Sequence, residues 1–379
     1  MKYYIIAGEA SGDLHGSNLI KELKKLDEQA SVRCWGGDLM QDAGAVVVRH
    51  YKDLAFMGFT EVIKNLPTIL KNLRFCKRDI GAFKPDALIL IDYPGFNLRI
   101  AKWARKSGYK VIYYISPQVW AWKESRVNTI KSCVDKMLVI LPFEKAFYSR
   151  WNFEVEYVGH PLVEVIESYR SKAEENKSNL PHYPLPVIAL LPGSRKQEIW
   201  KKLPVMLEMS RLFPGYHFVV AKAPGLDNAF YDELLKGYPN VSSIENKTYD
   251  LLLHAKAACV TSGTATLETA LFGVPEVICY KGSAISYQIA KRLIKVKYIS
   301  LVNLIMDKPV VKELIQDDLN VAQLQRELND LLNNPLRQQQ ILADYARLKD
   351  ILTQGGHASA NAARSIVGYL HPNAFFQRK

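Results

Sequence analysis

Asp92 closes the apolar run Ala87–Ile91 and opens the segment Asp92-Tyr93-Pro94-Gly95-Phe96-Asn97. A carboxylate at the end of a buried strand stands where α/β sheets bind ligands. There it can take a proton from a substrate hydroxyl, an effect worth about 10²–10⁴ in rate. It can equally hydrogen-bond the turn or a helix N-terminus. A second group of interest is Arg195, in Leu190-Leu191-Pro192-Gly193-Ser194-Arg195. Gly193 and Ser194 fall between a strand and a helix beginning near Lys196, and helix N-terminal amides attract anions. Arg195 can grip a diphosphate through charge-assisted bonds of about 1.5–3 kcal/mol each, or stand exposed on a turn. The stretch Thr261-Ser262-Gly263-Thr264-Ala265-Thr266-Leu267-Glu268 repeats the arrangement. Its amides at Gly263, Thr264 and Ala265 suit phosphate, and Glu268, one turn on, can accept from both ribose hydroxyls. Alone it reads as a capped helix start; beside the Gly193 turn it points to a nucleoside diphosphate.

Three further stretches carry weaker signals. Gly8-Glu9-Ala10-Ser11-Gly12-Asp13 follows the first strand, where small residues let the backbone approach a ligand and Ser11 or Asp13 can cap the next helix. Ser116-Pro117-Gln118-Val119-Trp120-Ala121-Trp122 offers either a wall for stacking sugars or a packed aromatic corner. Over Val62–Arg78 the residues Val62, Ile63, Leu66, Ile69, Leu70 and Leu73 keep helical spacing, with Lys64, Lys71, Arg74, Lys77 and Arg78 among or after them. Pro67 can interrupt that helix. A basic amphipathic segment can lie on an anionic membrane, each Lys or Arg contributing roughly 1 kcal/mol, or it can be a core-facing helix with solvated lysines. Phe56, Met57 and Phe59 add apolar bulk just before it.

Elements that would position these residues follow from the alternation of apolar runs with helical periodicity. Strands are expected at Tyr3–Ala7, Val32–Trp35, Ala45–Val48, Ala87–Ile91, Val111–Ile115, Met137–Leu141 and Val155–Val158. After a polar, proline-rich stretch, Glu174–Pro186, the alternation restarts with strands at Val187–Leu191, His217–Ala221, Ala258–Thr261 and Glu276–Tyr280. Strands separated by helices of 10–15 residues indicate parallel βαβ units. The expected fold is α/β, with two Rossmann-like doubly wound domains and ligands held in a cleft between them. The domains are placed at residues 1–175 and 176–356, with a C-terminal helix over 357–379 joining the first. Closure about the linker would exclude water.

Composition narrows the chemistry. The chain has 379 residues, 48% hydrophobic and 23% charged, and carries a net charge of +12. These values exclude wholesale disorder and fibrous repeats. Lys64–Lys110 holds 11 basic and 3 acidic residues, an attraction for phosphates, nucleic acid or an acidic lipid surface. No apolar run approaches the roughly 18 residues that span a bilayer, and the N-terminus reads as a strand rather than a secretory signal, so a cytoplasmic location is expected. The five cysteines are widely spaced, with no metal-finger pattern, and read as reduced core residues. G-x-G, the P-loop, G-x-S-x-G and D-x-D are all absent. Dinucleotide, ATPase and standard hydrolase readings weaken accordingly, and any nucleotide would be held by amides and basic side chains.

Taken in order, GEASGD, LAFMGFTEV, IDYPGFN, YYISPQVWAW, LPFEKAFY, VGHPL, LLPGSR, SGTATLE and YISLVNL resemble the lipid-A-disaccharide synthase family over nearly the whole chain. The resemblance implies a GT-B glycosyltransferase that needs no metal or other cofactor. It would join UDP-2,3-diacylglucosamine to 2,3-diacylglucosamine 1-phosphate through a β(1→6) bond, releasing UDP, in lipopolysaccharide assembly in Gram-negative bacteria. It further implies peripheral attachment to the anionic cytoplasmic face of the inner membrane and no nucleic-acid partner. By motif, Asp92 and Arg195 correspond to essential residues. Gly193, Ser194, Arg195, Ser262, Gly263, Thr264, Ala265, Glu268, Tyr280 and Asn303 fall on the UDP side. Ser11, Gly12, Gln118, Trp120 and His160 fall on the acceptor side, and Phe56, Met57, Phe59, Leu66, Leu70, Leu73, Lys71, Arg74 and Lys77 on the membrane side. Two rivals stay open: another GT-B sugar-nucleotide enzyme, an epimerase or a transferase for a different lipid, and a basic nucleic-acid module, for which no RNP, helix-turn-helix or KH signature is present.

Overall fold

The computed structural model describes residues 1–54, 66–175, 183–223, 225–283, 287 and 296–371. They form two compact units, Met1–Pro161 with Leu352–Lys379, and Leu162–Ile351. The expected boundary at residues 175/176 adjoins a stretch outside the described residues. Phe56, Met57, Phe59, Val62, Ile63, Lys64, the side chain of Leu66 and residues 372–379 lie outside the described residues.

The first unit is built on β1 (Lys2–Ala7), β2 (Ser31–Gly36), β3 (Val46–His50), β4 (Ala87–Ile91), β5 (Lys110–Tyr114), β6 (Lys136–Val139) and β7 (Glu156–Tyr157). They form one sheet in the order β3-β2-β1-β4-β5-β6-β7, every pair parallel. Central strands of such a sheet are covered on both faces and therefore read as continuous apolar runs. Ala87-Leu88-Ile89-Leu90-Ile91 is buried throughout, as is Tyr3–Ala7 of β1. The order reverses between β1 and β4, which pair from Tyr3↔Ala87 to Ala7↔Ile91. Their carboxyl ends therefore lie side by side at the point where doubly wound sheets bind ligands.

The second unit repeats the design with β8 (Val187–Leu191), β9 (His217–Lys222), β10 (Val241–Glu245), β11 (Ala255–Thr261), β12 (Glu276–Tyr280) and β13 (Lys312–Ile315). The order is β10-β9-β8-β11-β12-β13, again parallel, with the reversal between β8 and β11. β10 and β13 were not expected from the sequence. Both are edge strands, and Val-Ser-Ser-Ile-Glu and Lys-Glu-Leu-Ile have only one buried residue each, Ile244 and Leu314. The two parallel sheets with flanking helices are the expected two-domain α/β architecture.

Helix Leu66–Phe83 carries the basic segment and runs five residues beyond its expected end at Arg78. Pro67 does not interrupt it; it stands in the first turn, where a missing N–H costs no intrahelical bond. Asp79 anchors this helix to the sheet. Its carboxylate accepts two bonds from Arg33, at 2.8 and 2.7 Å, and one from Tyr4 Oη at 2.7 Å. That bidentate pair lowers the Asp79 pKa against the opposing effect of burial. Helix Ala358–Leu370 packs against helix Ala10–Leu26, returning the chain to the first unit. Cys34, Cys76, Cys133, Cys259 and Cys279 are all free and buried.

Candidate functional site

In the first unit, β4 ends in a turn that few residues tolerate. Asp92 and Tyr93 both adopt left-handed backbone angles, φ 41° and 48°, and the neighbouring Ile115 at the end of β5 has φ 65°. Such angles cost on the order of 1–3 kcal/mol each and persist only where the surroundings enforce them. The enforcing contacts are specific. The Asp92 carbonyl accepts from Asn97 Nδ2 at 2.8 Å and from Tyr113 Oη at 2.5 Å, while the Asp92 amide donates to Ile115 O at 3.2 Å. Pro94 then starts helix Pro94–Lys106. These three bonds engage the Asp92 backbone, while its carboxylate accepts from the Tyr93 backbone.

The Tyr93 ring closes the other side of the turn by lying flat on Gly8. A Cβ at residue 8 would sit 2.5 Å from that ring, so GEASGD and DYPGFN interlock through the absence of one methyl group. This places Glu9 beside Asp92. Desolvation, and secondly the Glu9 charge, push the Asp92 carboxyl up to about 7, against a lowering bond from the Tyr93 backbone. A carboxyl that titrates near neutrality can both take and hold a proton under working conditions.

The other residues expected on the acceptor side are placed unevenly. Ser11 and Gln118 are exposed, whereas Gly12 is buried against Ala7. Asp13 caps no residue of its own helix; its carboxylate accepts from the amides of Gly37 at 2.7 Å, Leu39 at 3.2 Å and Met40 at 3.1 Å, and so starts helix Asp38–Asp42. Trp120 is buried edge-on against Phe143, with centroids 4.9 Å apart, which fits the packed corner and not the stacking wall. Trp122 is the exposed member of the pair, with Lys123 Nζ 4.4 Å and the Arg126 guanidinium 5.3 Å from its ring centroid. His160 is buried near His15, and desolvation followed by the charge of His15 pushes it down to about 3. Desolvation alone brings His15 to about 4. On the basic helix, Lys71, Arg74 and Leu70 are exposed and Lys77 lies over Trp103, but Leu73 is core-buried and drops out of any membrane-facing patch.

The second unit holds a cavity of about 330 Å³ at the carboxyl ends of β8, β9 and β11, at the point where its strand order reverses. Gly193 and Ser194 line one side; Ser262, Gly263, Thr264, Ala265 and Glu268 line the other. Gly263 (φ 149°) precedes helix Thr264–Leu271, whose first amides have no acceptor within the helix and face this side. Ser262 Oγ donates to Ile299 O at 2.8 Å, tying the turn to the segment after it. Glu268 Oε1 accepts from Tyr249 Oη at 2.8 Å; burial raises the Glu268 pKa and that bond lowers it. Arg195 is the residue before helix Lys196–Leu212 and its side chain is 60% exposed, with Nη1 3.3 Å from Glu198 Oε1. Asn303 is buried, bonded through Nδ2 to Val311 O at 2.9 Å and through Oδ1 to the Val311 amide at 2.9 Å. It organises the loop beneath Ser262 rather than lining the cavity. Tyr280 is half-buried at the end of β12.

Sequence reading passed over Glu198, Lys222 and Thr248, which also line the cavity, as does Thr261 at the head of its motif. The signal for Lys222 lay in the end of strand His217–Lys222, where a cation at a strand's carboxyl end is the mirror of Asp92. Glu198 sits at N3 of a helix, a position that ordinarily reads as part of a cap.

Comparison with known proteins assigns the chain. The family model described as lipid-A-disaccharide synthetase matches residues 3–367. A lipid-A-disaccharide synthase of Syntrophus aciditrophicus is 41% identical over 369 residues, 96% of each chain. Among solved structures, a UDP-GlcNAc 2-epimerase from Neisseria meningitidis bound to UDP-GlcNAc superposes with a TM-score of 0.69 at 14% identity, covering 98% of this chain and 100% of the other. The calicheamicin glycosyltransferase CalG4 gives 0.62 at 17% identity, covering 98% of both. At such identities the structures establish the GT-B fold alone. Matched almost end to end by the family model and by a relative of equal length, the chain is a member of the lipid-A-disaccharide synthase family.

Proposed function

We propose that the chain performs the family's glycosyl transfer, moving 2,3-diacylglucosamine from UDP to the 6-hydroxyl of 2,3-diacylglucosamine 1-phosphate to give the β(1→6) lipid A disaccharide 1-phosphate and UDP. The observation that carries the residue assignment is the turn at Asp92, where a strained backbone and a packed tyrosine hold one acid whose burial, and secondly the Glu9 charge, bring its pKa near neutrality.

In this reading the acceptor oxygen attacks the anomeric carbon as the bond from that carbon to the UDP phosphate oxygen breaks. One in-line displacement inverts the α-linked donor to a β-linked product. Asp92 accepts the hydroxyl proton, late in the step, because an alcohol is far less acidic than any carboxyl. The departing diphosphate is stabilised by Arg195 and by the helix N-termini after Ser194 and Gly263, an electrostatic effect worth several kcal/mol in comparable sites. Glu268, whose Oε1 accepts from Tyr249, accepts from the ribose hydroxyls in this reading. Tyr280 and Asn303 serve the same side, Asn303 by fixing the loop to which Ser262 is bonded. Ser11, Gly12, Gln118 and His160 belong to the acceptor side.

The exposed face of helix Leu66–Phe83, with Leu70, Lys71 and Arg74, is the proposed contact with an anionic membrane surface. Among the described residues no helix is long and apolar enough to cross a membrane. The test is a product assay with both diacyl substrates on well-folded Asp92→Asn and Arg195→Ala proteins. Asp92→Asn should lose about 10²–10⁴ in turnover, and Arg195→Ala should lose both UDP affinity and turnover. Near-full turnover of Asp92→Asn removes it as the base; UDP-GlcNAc used as well as the diacylated donor removes the lipid assignment.

A further inference from the structure

Under the cavity of the second unit lies a charge that the glycosyl-transfer reading does not use. Lys202, on helix Lys196–Leu212, is 2% exposed. Its ammonium donates to Thr261 Oγ1 and stands 3.6 Å from Glu198 Oε2. Burying an ammonium is costly unless a counter-charge accompanies it. Burial lowers the Lys202 pKa, and Glu198 pulls it back up.

Glu198 lines the cavity and is shared between two cations of opposite character. One is Lys202, buried and fixed. The other is Arg195, 60% exposed and 3.3 Å away. Gly193, which also lines the cavity, lies directly against Glu198 and Lys202. A Cβ built there would lie 3.0 Å from Glu198 Oε2 and 3.4 Å from Lys202 Nζ, and its φ of +117° disfavours any side chain.

A carboxylate on the wall of a diphosphate cradle opposes binding twice, by repelling the ligand and by holding the arginine the ligand needs. Neither penalty is large if its charge is already compensated from behind. An exposed pair such as Arg195–Glu198 is weak and readily exchanged, whereas a buried ammonium stays with its partner. We infer that Lys202 is a positioning residue for the nucleoside diphosphate: it holds the Glu198 carboxylate inward, cancels its charge, and so releases Arg195 to the phosphates. This rests on the cavity being the UDP site proposed above.

The experiment is calorimetric titration of UDP into the full-length protein and its Lys202→Met, Glu198→Gln and doubly substituted forms, with donor KM and kcat for each. Lys202→Met should weaken UDP by about tenfold and raise KM more than it lowers kcat. Glu198→Gln should bind at least as tightly as the unaltered protein. The double form should return to within about threefold of Glu198→Gln, the coupling that a merely packing role would not give. Glu198→Gln alters a half-exposed residue and tests the idea even if Lys202→Met does not fold. Unchanged UDP affinity in Lys202→Met, no recovery in the double form, or a tenfold loss in Glu198→Gln overturns the inference. Failure of UDP to bind the unaltered protein overturns the cavity assignment itself, and is told apart because it needs no substitution.

Discussion

The acidity of Asp92 makes a prediction that can be worked through. A carboxyl that titrates near 7 instead of 3.8 holds its proton about 4 kcal/mol more tightly. The base must be ionised to accept the hydroxyl proton. Roughly nine-tenths of the enzyme is then competent at pH 8, about one-tenth at pH 6 and about one-hundredth at pH 5. kcat/KM should therefore fall about tenfold from pH 8 to pH 6, and about tenfold again to pH 5. The acceptor carries a phosphate that itself titrates near 6, so the limb alone does not identify the group. Glu9→Gln does. Removing that charge takes away the second cause of the raised pKa, so the acid limb should move to lower pH while the acceptor's own ionisation stays where it was. The assay is the initial rate of UDP release at subsaturating acceptor between pH 5 and 8.5, for both proteins, with folding checked at each pH. A flat profile, or an identical limb in Glu9→Gln, refutes the assignment of Asp92 as a near-neutral base.

Four further outcomes are expected. Because the unfolded chain ionises Asp92 near 3.8 and the folded chain only near 7, folding stability is lost as pH rises between those values; Asp92→Asn should raise the melting temperature at pH 8, by up to about 4 kcal/mol of stability, and leave it little changed at pH 4. His15 and His160 act in the opposite sense. Their depressed pKa values, about 4 and about 3, mean stability is full above the ordinary 6.5 and declines as pH falls below it, by about 1.4 kcal/mol per pH unit for each group; urea titrations from pH 7 to 4 should show this slope, halved in His15→Gln. Gly193→Ala should cost about 1–3 kcal/mol of stability and weaken UDP, since its Cβ meets Glu198 at 3.0 Å in a left-handed backbone; calorimetry with UDP reads both. Charge reversal at Lys71 and Arg74 should reduce flotation with anionic liposomes, by about 1 kcal/mol per residue, and leave flotation with neutral liposomes unchanged.

The strands that hold the sites were legible because burial on both faces forces continuous apolar runs, and Ala87–Ile91 and Val187–Leu191 have no polar interruption. β10 and β13 escaped because an edge strand needs only one buried side chain, and Ser242, Ser243 and Glu313 break the run. Asp92 was visible as a strand-terminal acid, but its chemistry was not. That depends on burial at the turn and on Tyr93 lying on Gly8, next to Glu9, a contact between residues 85 apart with no local mark. Trp120 and Leu73 were misplaced for a related reason. Side-chain type and helical spacing do not say which aromatic or leucine meets the core, and here Phe143 covers Trp120. Asn303 matched a family motif, yet its amide is spent on Val311 and Glu313.

The junction near residue 355 bears on how the molecule is made. Gly159 and Gly355 touch backbone to backbone, so close that a Cβ on Gly355 would fall 2.5 Å from the Gly159 Cα, and Asn361 Nδ2 reaches back to Val158 O at 3.1 Å. The sheet of the first unit is complete by Tyr157, but the helix that covers Ala10–Leu26 is not translated until Ala358–Leu370. On the ribosome, the Leu162–Ile351 unit therefore has all of its strands while its older neighbour still waits with an uncovered apolar face. A chain cut short at residue 355 would harm the half that was synthesised first, and a nascent-chain protease assay should find the amino-terminal half maturing last.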